Sequence, residues 1–341
     1  MKKLRLIIMA IMTATITNAQ NPDFLKMVEY ATKAPSGHNT QPWKFKITET
    51  SIEIYPDLSC ALSVVDNDNR ELYISLGCAL ENLCIAANNL GYQENVTINK
   101  KDSIHIICVD LEKTNNNLYS SLFAQIEKRQ TNRSLYNNKK ITADTLQFLQ
   151  DLKLQENTQL YFYPNGSENY TLLANFVKLG NDLQMSNKNF KKELLSWMRF
   201  NKKDVSKKNN GLSYATMEAP ALPAWMSKPI IKSYLKPKKQ NQSDLKKIAS
   251  SSHIVLFTLM ENTPRNWIET GRSLERFLLK CTELGIAIAY LNQPCEEKTL
   301  AAQIQSNVLK KNEIPVLLLR IGYASPLPYS PRKPIEKVIV E

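Results

Sequence analysis

The sequence predicts an α+β protein, and three observations carry that expectation. The chain is 341 residues long, 43% hydrophobic and 22% charged, enough to bury a core in about two domains. Helical and strand-like segments follow one another without β-α-β alternation. One helix pattern also occurs twice: Gly77-Cys-Ala-Leu-Glu ending in Leu90-Gly91, and Gly271-Arg-Ser-Leu-Glu ending in Leu284-Gly285. Each copy closes at a glycine suited to the left-handed position after a helix. Their separation of 194 residues suggests two copies of one unit; chance likeness between two amphipathic helices is the alternative.

The elements follow in chain order. Met1-Lys-Lys-Leu-Arg5, an apolar run over 6–16 and Thr17-Asn-Ala-Gln20 read as an export leader cleaved after Ala19, too short to span a bilayer. The expected mature protein is therefore exported, periplasmic or secreted, and no later stretch predicts a membrane span. Residues 22–32 predict a helix. Residues 43–47 and 52–55 predict strands joined through Glu49-Thr-Ser51, and 104–109 a buried strand. Helices are expected near 118–128 and 142–153, with strands at 159–163, 254–259 and 315–321. The expected division is 1–19 leader, 20–120 first half and 121–341 second half. The stretch 211–237, with four prolines beside Met217, Leu222, Trp225 and Met226, predicts an irregular lid rather than a disordered linker.

Several classes of chemistry are excluded by spacing. No two of the nine glycines lie two or five residues apart, so neither a dinucleotide fingerprint nor a P-loop can form. The six cysteines show no Cys-x-x-Cys and no zinc-like pairing with the three histidines, so no metal is expected. Cys281 reads as core, and Cys78 and Cys84 face different sides of one helix. The net charge is +12, or +9 without the leader, and much of it lies between Lys188 and Lys247. Such a balance favours anionic partners. That stretch reads as a solvated face, since too few aromatics interleave with its lysines for a nucleic-acid platform.

Three motifs carry candidate chemistry. Ala34-Pro-Ser-Gly-His-Asn-Thr-Gln-Pro-Trp43 packs Ser36, Asn39 and Gln41 between two prolines, a set of donors and acceptors suited to the edge of a flat heterocycle, or simply to a turn. Arg129-Gln-Thr-Asn-Arg133 holds two guanidiniums of the kind that grip phosphate. Tyr329-Ser-Pro-Arg-Lys-Pro334 adds Arg332 and Lys333 after the strongest strand, where a solvated terminus is the plainer reading. Trp43 reads as core.

Together these residues resemble the nitroreductase superfamily of flavin enzymes, and most closely its Acg-type branch, in which two units are fused in one chain. The resemblance covers nearly all of the mature chain. It implies a nitroreductase-like fold arranged as an intrachain pseudo-dimer. FMN would sit between the halves, at one complete site, with the pseudo-symmetric second site dead. By this resemblance Ser36, Asn39 and Gln41 touch the ring or ribityl chain, and Arg129, Arg133, Arg332 and Lys333 hold the phosphate with Asn132 assisting. Gln293 and Pro294 approach the ring from the second half. No side chain is assigned a catalytic role, because the reactive atom belongs to the cofactor; His38 is a candidate for substrate contact only. The implied activity is transfer of two electrons from flavin N5 to a small planar acceptor such as a nitroaromatic, quinone or enone, with NAD(P)H or another reductant as donor. A flavin-sequestering protein with little turnover, and a non-flavin basic module, are the other readings.

Overall fold

The computed structural model describes residues 21–116 and 119–341; the expected leader lies outside them. The chain opens with α1 (Pro22–Ala31), started by Asn21, whose side chain accepts from the Asp23 amide, and by a proline at its first position. Strands β1 (Trp43–Ile47) and β2 (Ser51–Pro56) form the expected hairpin. Helix α2 (Arg70–Asn89) follows, buried along most of its length and closed by Gly91 at φ 78°. Strands β3 (Tyr92–Lys101) and β4 (Ile104–Lys113) pair antiparallel across ten residues. Strand β3 escapes the sequence reading because only Tyr92, Val96 and Ile98 alternate inward among polar residues.

The helix expected near 118–128 reduces to a single 3₁₀ turn at Ser121–Gln125. Leu122, Phe123 and Ile126 pack at once beside Ile85 and Leu279, and the chain then runs extended through Arg129–Arg133. Helix α3 (Ala143–Gln150) is capped by Thr142. After β5 (Thr158–Pro164) come α4 (Glu168–Ser186) and α5 (Lys188–Trp197), neither expected. The stretch 198–249 contains the short β6 (Met198–Arg199), α6 (Lys202–Lys208), β7 (Leu212–Ser213), α7 (Ala224–Tyr234) and α8 (Pro237–Ala249). The expectation of an irregular 211–237 is thus corrected: α7 forms despite Pro229 within it, which removes one helical hydrogen bond. Next come β8 (His253–Leu259), α9 (Pro264–Glu283), β9 (Ala287–Tyr290), α10 (Gln293–Glu296) and α11 (Lys298–Ile304). The chain ends with β10 (Ile314–Gly322) and β11 (Ile339–Val340).

The result is α+β, as expected. One sheet runs β11-β1-β2-β4-β3 and the other β5-β8-β10-β9. The second is antiparallel throughout, and β10 has the continuous burial expected of a strand covered on both faces. The first sheet is finished from the far end of the chain: β11 pairs parallel with β1, Phe45 opposite Ile339, and the Phe45 amide donates to Val338 O at 2.8 Å.

The two echoed helices cross at their leading glycines. A Cβ on Gly77 would lie 1.9 Å from Ile268 O, and a Cβ on Gly271 2.0 Å from Ile74 O. The contacts are reciprocal, each glycine meeting the carbonyl three residues before the other. The glutamates four residues on are both fully buried: Glu81 pairs with Arg272 and Arg276, Glu275 with Arg129. Cys78 donates to Gly271 O at 3.2 Å, and all six cysteines are free. Trp43 and Cys281 are core. Among the described residues no helix is long and apolar enough to cross a membrane.

Candidate functional site

A cavity of about 490 Å³ opens between the loop after α1, the Arg129–Arg133 segment, α10 and the 185–235 region. That volume lies within the range of small-molecule and cofactor sites. Its walls are best understood from the loop outward.

Pro35–Pro42 is a strained loop. His38, Asn39 and Gln41 all sit in the left-handed region, at φ 47°, 55° and 54°. For residues with a Cβ this costs on the order of 1 kcal/mol each, less for asparagine. Hydrogen bonds over-determine it. Ser36 Oγ accepts from the Gln41 amide at 2.9 Å. Asn39 Nδ2 donates to Pro331 O at 3.0 Å and Gly211 O at 3.2 Å, and its Oδ1 accepts from Arg332 Nη1 at 3.0 Å. Gln41 Nε2 donates to Asn209 O at 2.9 Å, while the Lys333 amide and ammonium donate to Gln41 Oε1 and O at 2.8 and 2.9 Å. The early polar loop and the late basic tail therefore meet.

Their roles divide, however. Ser36, Asn39, Arg129, Arg133, Gln293 and Arg332 line the cavity. Gln41, Asn132, Pro294 and Lys333 do not line it. The left-handed turn at Gln41 directs its amide onto Asn209 and Lys333. Lys333 is held by Gln41 and Cys60, and Asn132 is spent on Ser325 O and the Ser134 side chain. Pro294 sits buried where α10 begins.

The cavity's cations are crowded. Arg129 and Arg332 each direct an Nη2 at the same acceptor, Lys33 O, at 2.9 and 2.8 Å. Arg129 has Glu275 at 3.3 Å as its counter-charge; burial pushes that carboxyl up to about 7, against the pull of Arg129. Burial, and then Arg129, bring Arg332 down to about 9, and its Nε has no partner. Arg133 makes no hydrogen bond or ion pair among the described residues; burial and then Arg320 depress it. The Lys247 ammonium, also lining the cavity, makes no hydrogen bond or ion pair among the described residues; burial lowers it against the pull of Asp244, with Arg320 and Arg133 nearby. Arg320 is already engaged, over the Tyr136 ring at 3.9 Å and donating to Ser134 O at 2.7 Å. Buried like charges without enough counter-ions are costly, and an anion in the cavity would relieve them.

Elsewhere the lining is acidic and apolar. Glu71 accepts from Asn292 Nδ2 at 3.0 Å and Glu296 from Gln184 Nε2. Burial raises both, and for Glu296 the neighbouring Glu71 adds to the rise. Tyr290 Oη and Gln293 Oε1 are buried without partners, two polar atoms free for a ligand. Met185, Phe190, Leu194, Leu212, Met217 and Leu235 supply apolar wall. Glu71, Lys247, Tyr290 and Glu296 were not identified from sequence. Lys247 had a signal as the end of the basic stretch, and Glu296 as the close neighbour of Gln293 and Pro294 in the segment the resemblance names.

His38 lines the cavity with its imidazole held down to about 4, by burial first and then by Arg133. Its folded value lies below the ordinary 6.5, so the folded state binds fewer protons than the unfolded one between those values. Wild type should therefore lose stability relative to His38→Asn as pH falls from about 6.5 to about 4. Paired denaturant titrations check this; parallel pH profiles for the two proteins would contradict it.

The architecture is a nitroreductase-like fold. A crystal structure of a protein named a nitroreductase from Anabaena variabilis superposes with a TM-score of 0.53 at 10% identity, covering 88% of each chain. In sequence, the chain is similar to "Putative NAD(P)H nitroreductase Rv3131" of Mycobacterium tuberculosis, 24% identical over 320 residues, 91% of this chain and 88% of that protein. It is also 29% identical over 85 residues to that organism's nitroreductase-named Acg, covering 24% and 26% of the two chains. No protein-family profile matches. In sequence and in fold the chain is thus similar to proteins named as nitroreductases.

Proposed function

We propose that the protein is an FMN-dependent oxidoreductase that passes two electrons to a small planar electrophile such as a nitroaromatic, quinone or enone. One observation carries this reading: Arg129 and Arg332 converge on one carbonyl while Arg133 and Lys247 stand without partners on the wall of the same cavity. Guanidiniums in that arrangement suit a phosphate. The unpartnered Tyr290 and Gln293 oxygens and the apolar wall suit a flat ring system. When bound, the flavin supplies the electron-carrying atom, N5. The chain's part is to hold the phosphate, fix the ring and exclude water. The reciprocal Gly77–Gly271 crossing supports two fused units with the cofactor between them. The relatives' names support a nicotinamide donor. The N-terminal sequence supports export, where another reductant would have to serve.

A second reading is favoured by the 185–235 region. Met185, Phe190 and Leu235 form a small core of their own, with Leu194 and Ile231 packed against it, over one side of the cavity. A lid this well packed suits retention of flavin with little turnover. The absorbance spectrum of the purified protein, an FMN titration, and anaerobic reduction followed by each acceptor separate the readings. Tight FMN binding with reoxidation by an acceptor is expected. Binding without reoxidation selects the second reading, and no FMN binding overturns both.

A further inference from the structure

We propose that the outward side of α7 docks the protein on the surface of an anionic lipid bilayer. The helix carries three stripes. Ser227, Ile231 and Leu235, four apart, turn inward, with Ser227 and Leu235 buried; Leu235 reaches the cavity wall. Opposite them Trp225, Met226, Ile230 and Tyr234 are 76%, 39%, 47% and 59% exposed, with Pro229 exposed among them. At 100° per residue these five fall on one half of the helix, interrupted by Ser233 alone. Beside that arc stand Lys228 and Lys232, continued by Lys236, Lys238 and Lys239, all exposed. No acidic residue occurs between Glu218 and Asp244, and none of the five lysines forms an ion pair among the described residues.

An apolar ridge led by tryptophan and tyrosine and flanked by lysines is the composition that lies in a membrane interface. Its charge complements acidic headgroups, each lysine near such a surface adding about fivefold in affinity. Other occupants fit less well. A nucleic acid would reward the lysines and rings but not Met226, Pro229 and Ile230. A second copy of this chain would set five lysines against the same five.

The full chain is tested by co-sedimentation with vesicles of phosphatidylcholine alone and with about 30% phosphatidylglycerol, at low and high salt. The expected result is partition onto the anionic vesicles at least tenfold stronger than onto neutral ones, weakened by salt. The double variant Trp225→Ala, Ile230→Ser should reduce it tenfold or more, and so should Lys232→Gln combined with Lys236→Gln, with FMN affinity and circular dichroism unchanged in both. No partition onto anionic vesicles overturns the proposal. So does partition insensitive to the apolar variant, or an equal affinity for an oligonucleotide duplex that this variant leaves intact. FMN binding is read separately, so failure here leaves the flavin reading standing.

Discussion

Replacing Arg133 by alanine should raise the Kd for FMN between tenfold and about a hundredfold, the range of a lost charge-assisted bond of roughly 1.5–3 kcal/mol. The apo-protein should be no less stable to heat. Both halves of that result follow from the side chain having no hydrogen-bond or ion-pair partner among the described residues while burial depresses it: nothing is lost when it goes except an uncompensated charge. Arg129→Ala should behave differently. It weakens FMN binding as well, but it also strips buried Glu275 of its partner, a change that costs on the order of 3–5 kcal/mol when a buried ion keeps its charge. Isothermal titration and thermal melts on the two variants test the contrast. Unchanged FMN affinity in Arg133→Ala would move the phosphate elsewhere.

The second large effect belongs to the helix crossing. Gly77→Ala should destabilise the protein by about 3 kcal/mol or more, the upper end of overpacking costs, and Gly77→Leu should yield little soluble protein. A methyl group 1.9 Å from Ile268 O and nearer than 3 Å to Gly271 Cα meets backbone on both sides. Nothing can rotate away, so α2 and α9 must separate and open the core they share. Denaturant unfolding of Gly77→Ala checks this; a midpoint equal to wild type would mean that the helices do not meet this closely.

Much of this was legible in the sequence because it rested on local chemistry. The two Gly-x-x-Leu-Glu helices declared themselves by apolar spacing and terminal glycines, and they cross where their first glycines permit it. The Ser36–Gln41 loop and the arginines at 129, 133 and 332 were recognisable through the resemblance; by residue type alone a turn and surface arginines fitted as well. What sequence could not supply was direction. A left-handed turn at Gln41 sends its amide to Lys333 instead of the cavity, and only coordinates show that φ. Glu71 and Glu296 face the same cavity although 225 residues separate them. Helix α4 carries many polar residues on a weakly apolar face and left a faint periodic signal, while α5 falls in the lysine-rich stretch from Lys188 that reads as a solvated face.

The pairing of β11 with β1 has a consequence for biosynthesis. The edge of the first sheet stays open while some 290 further residues are made, because its closing partner, Val338 to Val340, comes that much later in the sequence. Such long-range closure slows folding and leaves a strand edge available to wrong partners in the interval. An emerging chain of this kind gains from any contact that shields that edge until β11 is made.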